Sequence, residues 1–452
     1  MEQTTLTRHE LPRKLSWLDA TMIVVGIVIG SGIFLLPNVI AQSLHSSSAI
    51  LSVWIISGVL SYFGALAYAE LGAMMPATGG QYVYLREAYG PACAFLCGWT
   101  FMLVLLSGGI AFLGVSFSIY AAQFLPLTPF TSKLLALALI AVLSAVNYVG
   151  VRESAVVQVT FTFLKIAGLL LLIGGAFFSH ASAPAAAAPA ARFSLASFGA
   201  AMIACLMAYN GWTYISFVAG EVKDPARNLP RSLTLGMVAV MALYVLANAA
   251  YLKVMPIPQI ASTARVGAAL AERTLGSIGA TAVSVTVLFS IVGAINGCIL
   301  TAARIPFAQA QDGLFFRRFA RIHPRFATPA FAIVLQGLWS AVLVISGSYE
   351  NLFSYSIVAA WGFYMLSVAA VFVLRRKQPA LPRPYRMWGY PYTLGAFLLV
   401  SLWFVVNAFI TAPGPSFTAL GIVGAGVPAY LLWRKPAPKP HPAVGRPVTS
   451  DQ

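Results

Sequence analysis

Apolar residues in this chain come in long unbroken blocks, without the helical or strand period of a half-buried element. Twelve blocks run approximately 17–41, 48–75, 89–124, 132–149, 154–178, 196–220, 232–254, 276–311, 327–346, 350–375, 389–411 and 415–433. A helix needs roughly 20 mostly apolar residues to cross a hydrocarbon core about 30 Å thick. The pattern therefore predicts an all-α membrane protein of twelve transmembrane helices. The 132–149 block is the shortest, and the third and eighth are long enough to tilt or overhang. Residues 1–16 are polar and hold no short apolar core with a small-residue cleavage site, so no secretory signal is expected. The Ala- and Pro-rich tract 182–191 predicts a flexible connector. The Pro- and Lys-rich stretch 436–452 predicts a disordered tail. One membrane domain, 17–435, is expected between 1–16 and that tail.

Two blocks are interrupted at mid-depth. The first reads Val28-Ile29-Gly30-Ser31-Gly32-Ile33-Phe34, and the sixth reads Met207-Ala208-Tyr209-Asn210-Gly211-Trp212-Thr213. They lie five spans apart, and an odd offset means the second copy crosses in the opposite sense. Paired interruptions at matching places in two inverted halves point to a solute site near the bilayer midplane. The expected repeats cover about 17–178 and 196–375. The last two spans, about 389–433, fall outside them.

Composition agrees with the pattern. Of 452 residues 59% are hydrophobic and only 9% charged, against about 25% charged in soluble domains. The net charge of +16 invites a nucleic-acid reading, but its distribution argues otherwise. With an even number of spans both termini share a side. Of 28 Lys and Arg, five (Lys133, Arg192, Lys253, Arg265 and Arg273) fall on the opposite side, Lys165 lies within a span, and 22 remain on the side of the termini. Loop charge of this bias places the termini in the cytoplasm. The basic surplus then faces anionic lipid, with no nucleic-acid partner expected.

The broken spans carry the candidate chemistry. Irregular backbone is tolerated at membrane depth only against protein or a polar cavity. The half-helix beginning near Ile33 is expected to present free N–H groups and a partial positive charge, suited to a carboxylate. The half-helix ending near Ile27 and Val28, and the carbonyls of Met207 and Ala208, are expected to take an ammonium. Gly32 is expected to hold irregular dihedrals that a side chain would disfavour. Gly26 and Gly30 also form a GxxxG face, which by itself reads as helix packing. Asn210 either touches the ligand or braces the unwound backbone, and Trp212 is equally readable as a packing residue.

Lys165 is the sharpest single signal. It lies eleven residues beyond Ser154, about 16 Å into the span, too deep for full snorkelling. An ionisable residue there is a functional candidate, with a structural interhelical tie as the plain alternative. Its expected partners are carbonyls at the first break and Ser290 in the eighth span. Glu70 and Glu221 lie near span ends. Either is able to carry protons; both are expected to pair with basic residues where the membrane edge keeps them hydrated. The segment 76–91, rich in Gly and Tyr, is expected to be interfacial. Cys93, Cys97, Cys205 and Cys298 form no CxxC pair, so neither disulfide nor metal site is expected. The five histidines, at 9, 45, 180, 323 and 441, lie outside the spans. No cluster of His or Asp supports an enzyme, and no cofactor is expected.

At these residues the chain resembles the L-type amino-acid transporter family of the amino acid–polyamine–organocation superfamily. The strings are Gly26 through Phe34, Ala69-Glu70-Leu71-Gly72 with Gly79-Gly80 and Tyr82, and Tyr209-Asn210-Gly211-Trp212. Glu221-Val222-Lys223-Asp224-Pro225 and Asn228-Leu229-Pro230 follow. The likeness covers at least the first ten spans. It implies a five-plus-five inverted repeat with broken first and sixth spans, plus two extra helices. It implies that Val28, Ser31 and Gly32 hold the carboxylate side of a substrate and that Met207 and Asn210 line the sixth-span side; with Ile29, Gly30, Ala208 and Gly211 of the breaks, these are the candidate substrate residues. Met207 stands where many relatives have an aromatic gate, and Asn210 where several have glycine or another small residue. Trp361 matches an aromatic position that closes over substrate. Lys165 matches a lysine whose ammonium occupies a sodium site of sodium-coupled relatives. The implied activity is sodium-independent transport of neutral L-amino acids by exchange or proton symport. The alternative is a cationic amino-acid or polyamine carrier, whose pocket wants a mid-depth carboxylate not found here. Eukaryotic members join a partner through a cysteine in the loop after the third span. The loop 125–132 has none, so no disulfide-linked heavy subunit is expected.

Overall fold

The computed structural model describes residues 10–181, 194–263, 265–347 and 349–433, with backbone alone over 349–356. The connector at 182–191, most of the N-terminal segment and the tail at 436–452 lie outside the described residues. Among these residues the chain is helical, with one isolated parallel bridge between Leu15 and Val222. Ten helical segments are long and apolar enough to cross a bilayer, from Ser47–Met74 to Pro413–Trp433. Trp17–Val28 and Gly32–Ser43, bent by 41° about their break, make an eleventh. The ninth block is the helix Ala330–Ser346; its 17 residues sit at the short limit for crossing. Every sequence block thus has its helix or bent pair.

The two long blocks are long for different reasons. The third consists of Pro91–Thr100, a π-helical turn at Phe101–Leu106, and Ser107–Ala121. The wider turn leaves a carbonyl offset, and Ser107 Oγ donates to Met102 O at 2.7 Å. The eighth, Val266–Ala302, is kinked at Gly276, whose φ of 69° only glycine takes freely. Its first ten residues overhang the crossing part.

Spans that are apolar all round are sorted by shape and by buried polar groups. The fifth span, Val151–Phe178, lies along the eighth. Gly168 admits Thr286, whose Oγ1 would stand 2.2 Å from a Cβ there. Farther along the same pair Asn296 Nδ2 donates to Ser154 O (3.0 Å) and Gln158 Oε1 (3.1 Å), and Asn147 Nδ2 donates to Asn296 Oδ1 (3.0 Å). These buried amides fix the rotation of the fifth span, and with it where Lys165 points.

Candidate functional site

The first span stops at Val28 and restarts at Gly32. Gly30 N–H turns back to Val28 O at 2.8 Å instead of continuing the helix. Ser31, the N-cap, makes no side-chain cap. The N–H groups of Ser31, Gly32 and Ile33 find no acceptor among the described residues. This is a half-helix N-terminus with free N–H groups at the position the sequence predicts. The sixth span stops at Ala208, turns through Tyr209-Asn210-Gly211, and continues as a 3-10 helix, Trp212–Glu221.

The two breaks touch. Gly211 has φ 123°, and a Cβ there would lie 2.8 Å from Ile27 Cγ2 and 3.3 Å from Val28 N. Both the conformation and the space demand glycine. Tyr244 in the seventh span closes the junction: its Oη is 2.8 Å from Val28 O and 3.2 Å from Ala208 O, sharing its hydrogen between them. Tyr364 Oη donates to Asn210 Oδ1 at 3.1 Å, holding that amide from the tenth span.

Lys165 is fully buried, and its Nζ donates to Gly26 O (2.7 Å), Ile29 O (2.8 Å) and Ser290 O (3.0 Å). Ser290 Oγ donates to Ile29 O at 2.9 Å. An ammonium has three donors and no acceptor, so these three carbonyls satisfy it fully. It joins the fifth, first and eighth spans at the break.

One mouth of the site is shut. Leu15 N–H donates to Glu221 O (2.9 Å) and Lys223 N–H to Leu15 O (2.8 Å), clasping the N-terminal segment to the end of the sixth span. Gly79 N–H donates to Phe217 O at 2.9 Å. Glu221 takes Arg304 through both oxygens, at 2.7 and 3.0 Å. Farther out Arg86 pairs with Asp312 and Glu87. Burial opposes the charge of Arg86, and Asp312, then Glu87, overturn that, holding the guanidinium above its ordinary pKa.

The placement of the expected residues is uneven. Gly30 faces open space, Ser31, Gly32 and Asn210 are partly exposed, and Met207 is 39% exposed. All five lie at or next to the two breaks. Val28 and Ile29 are buried, and their carbonyls are taken: Val28 O by Gly30 and Tyr244, Ile29 O by Lys165 and Ser290. With two lone pairs each, they shape the break and have none left for an ammonium; Ala208 O keeps one. Gly32 corrects an expectation. Its φ is not positive, and a Cβ would meet Leu36 and Ala208 at ordinary distances of 3.4 and 3.6 Å. Gly26 is the packing glycine, with Gln158 and Thr162 pressed on it.

Trp361 does not reach the breaks. It stacks on Phe404 at 4.5 Å and on Phe397 at 6.2 Å, in the seam with the eleventh span. Tyr364, one turn on, is the tenth-span side chain that does. Glu70 and Glu221 do pair with arginines, but not in a hydrated edge: Glu70 is 1% exposed, and Glu221 and Arg304 are at 0%. The N-terminal clasp covers Glu221, and Met387 N–H at 2.8 Å helps enclose Glu70, which also binds Arg375. The 76–91 segment is likewise tucked inward. Tyr82, Tyr84 and Leu85 are buried, and Gly80 lies where a Cβ would strike Ser216.

Two broken apolar spans meeting at mid-depth, with unpaired N–H groups and a closed mouth, define a membrane carrier of small solutes. Comparison with known proteins supplies the family. The amino acid permease family model matches residues 15–427, and the chain belongs to that family. It is a multi-pass membrane amino-acid transporter of the amino acid–polyamine–organocation superfamily, not an enzyme. It is 30% identical to the serine/threonine exchanger SteT of Bacillus subtilis, over 94% of this chain and 98% of that one. It is 32% identical to the human b(0,+)-type amino acid transporter 1, over 89% and 84% respectively. It is 33% identical to the rat large neutral amino acids transporter small subunit 2, over 93% and 81%.

Proposed function

We propose that this protein carries neutral L-amino acids across the cell membrane without sodium, by alternating access coupled to exchange or proton symport. The observation that carries this reading is the Lys165 ammonium held by three carbonyls at the first break. A fixed positive charge there does what a bound sodium ion would do: it satisfies the carbonyls of an unwound helix and ties the first span to the eighth. The substrate carboxylate binds the N–H groups of Ser31, Gly32 and Ile33, and the ammonium binds Ala208 O and its neighbours. Among the described residues the buried acids Glu70 and Glu221 are consumed by arginines. This disfavours a cationic substrate, which would need a free carboxylate in the pocket. Relatives named for serine and threonine exchange and for large neutral amino acids agree with a neutral substrate.

In this reading the two breaks are equivalent parts of inverted repeats, the termini are cytoplasmic, and no disulfide-linked heavy subunit is needed. The test is uptake of labelled amino acids by proteoliposomes, with and without internal substrate, sodium and a pH gradient. Neutral amino acids are expected to be taken up equally in sodium and choline, and lysine, arginine and putrescine poorly. A sodium requirement would overturn the role given to Lys165; preferred uptake of lysine or putrescine would overturn the substrate class.

A further inference from the structure

A second concave site lies far from the breaks, on the side of the N-terminus. It is an open cleft of ≈ 610 Å³ lined by Arg227, Pro230, Arg231 and Thr234 of the seventh span and by Pro384 and Tyr385 of the linker before the eleventh. Its volume falls within the roughly 300–1,000 Å³ of small-ligand clefts. Arg227 and Arg231 are one helical turn apart, exposed, and their guanidinium groups have no partner among the described residues. Other basic groups nearby are spent: Arg383 donates to the carbonyls of Leu374, Gln378, Pro379 and Leu381, and Arg375 pairs with Glu70. No carboxylate lines the cleft.

Depth identifies the ligand. The seventh span runs Pro225–Val254, and 20 residues of helix cross about 30 Å. Counting back from Val254, the hydrocarbon begins at Leu235. Leu235 and Val238 are 48% and 45% exposed, on the face that carries the arginines. Arg227 and Arg231 therefore stand at headgroup level, directly above a bare apolar stripe. Across the cleft the linker continues to Trp388 and Tyr392, 73% and 84% exposed. Aromatic residues of this kind favour the membrane interface.

We propose that this cleft binds an anionic glycerophospholipid, its phosphate between Arg227 and Arg231 and its acyl chains along Leu235 and Val238. Two planar guanidinium groups suit the oxygens of a phosphodiester, and a basic pocket among spans at the leaflet surface suits an anionic headgroup. The site has a route to the transport machinery. Ser232, beside Arg231, donates to Trp17 O at 3.0 Å, at the start of the first broken span.

The test is native mass spectrometry of the full chain, delipidated and titrated with phosphatidylglycerol or phosphatidylcholine. Wild type is expected to retain phosphatidylglycerol selectively. R227Q/R231Q is expected to bind it about thirtyfold more weakly, since each basic residue near the surface contributes several-fold. R317Q/R318Q removes the same charge from an exposed pair outside the cleft and should leave retention unchanged. Thr234→Trp fills the cleft without altering charge and should also lose the lipid. Equal loss from both arginine pairs, no preference for phosphatidylglycerol in wild type, or displacement of the lipid by inorganic phosphate would each overturn the proposal. So would full retention by Thr234→Trp.

Discussion

Replacing Lys165 with alanine should leave a folded protein that transports slowly and binds substrate unequally from its two faces. The structure sets the size of the effect. Ile29 O keeps Ser290 Oγ when the ammonium is removed, and Ser290 O lies inside a continuous helix. Gly26 O is different. Its helical donor would be Gly30 N–H, which turns instead to Val28 O. Lys165 is thus its partner, and losing it leaves a buried carbonyl unsatisfied at a cost of about 1–3 kcal/mol. If the tie exists in one of the alternating states and not the other, a loss of about 1–3 kcal/mol shifts their ratio by roughly 5–150-fold. The apparent affinity on each face scales with the population open to that face, so the two affinities should move in opposite directions. Exchange in right-side-out and inside-out proteoliposomes reads both. Lys165→Met, which keeps the bulk and removes the charge, should match the alanine variant. Wild-type exchange rates for both variants, with unchanged affinity on both faces, would refute the coupling and leave Lys165 as a packing residue.

Four further outcomes follow from the same geometry. Gly211→Ala should abolish transport, because a positive φ costs about 1–3 kcal/mol and its Cβ strikes Ile27; Gly30→Ala, in open space, should keep normal thermal stability and change only substrate binding in a scintillation proximity assay. Asn210→Gly should admit bulkier side chains such as leucine or phenylalanine in a competition panel, and Tyr364→Phe, by freeing the amide, should move the same profile. Arg304→Gln should lower stability by about 3–5 kcal/mol, because Glu221 is left buried and unpaired; fluorescence size-exclusion after heating reads this, and pairing it with Glu221→Gln should recover most of the loss. An amino-acid methyl ester should fail to compete for uptake, since the N–H groups of Ser31, Gly32 and Ile33 need a carboxylate.

What the sequence shows of this site is what interrupts an apolar block. Gly30-Ser31-Gly32 and Asn210-Gly211 stand out as clustered glycine and polar residues in the middle of apolar blocks. Lys165 stands out because no other charge lies so deep. Both breaks fall within a residue or two of the expected positions, and Lys165 meets the expected partners. Tyr244 and Tyr364 are invisible for the opposite reason. A tyrosine in an apolar span reads as a packing residue until the landing point of its hydroxyl is known. Arg304 fails more instructively. At the end of a block it counts as a surface charge, yet it is fully buried against Glu221, at the end of the sixth span, over which the Leu15 segment clasps. Burial at a span's end depends on what folds over it, and that segment lies nearly three hundred residues away. Gly32 and Gly211 exchange roles likewise: the motif suggests that the first needs glycine's backbone, while the contact with Ile27 puts that need on the second.

These contacts converge on one short stretch, and that constrains how the site moves. The first-span break is held by three separate grips: Lys165 on Gly26 and Ile29, Tyr244 on Val28, and Gly211 against Ile27. The first comes from the fifth span, the second from the seventh and the third from the sixth. The inner half-helix Trp17–Val28 therefore cannot tilt as a free lever. It moves with the 3-10 segment Trp212–Glu221, to which Leu15 also clasps it, or it breaks a grip. Of the three, the Lys165 contact is the one that joins this pair to the fifth and eighth spans. If the shut mouth opened by swinging the pair away from those spans, the Lys165–Gly26 bond would stretch, together with the contacts of Gln158 and Thr162 to Met22 O. In the proposed binding mode, substrate bridging Ser31 and Ala208 would reinforce the junction between the two breaks without touching that bond. Under that proposal one joint would stiffen as substrate binds and another would loosen as the carrier changes face.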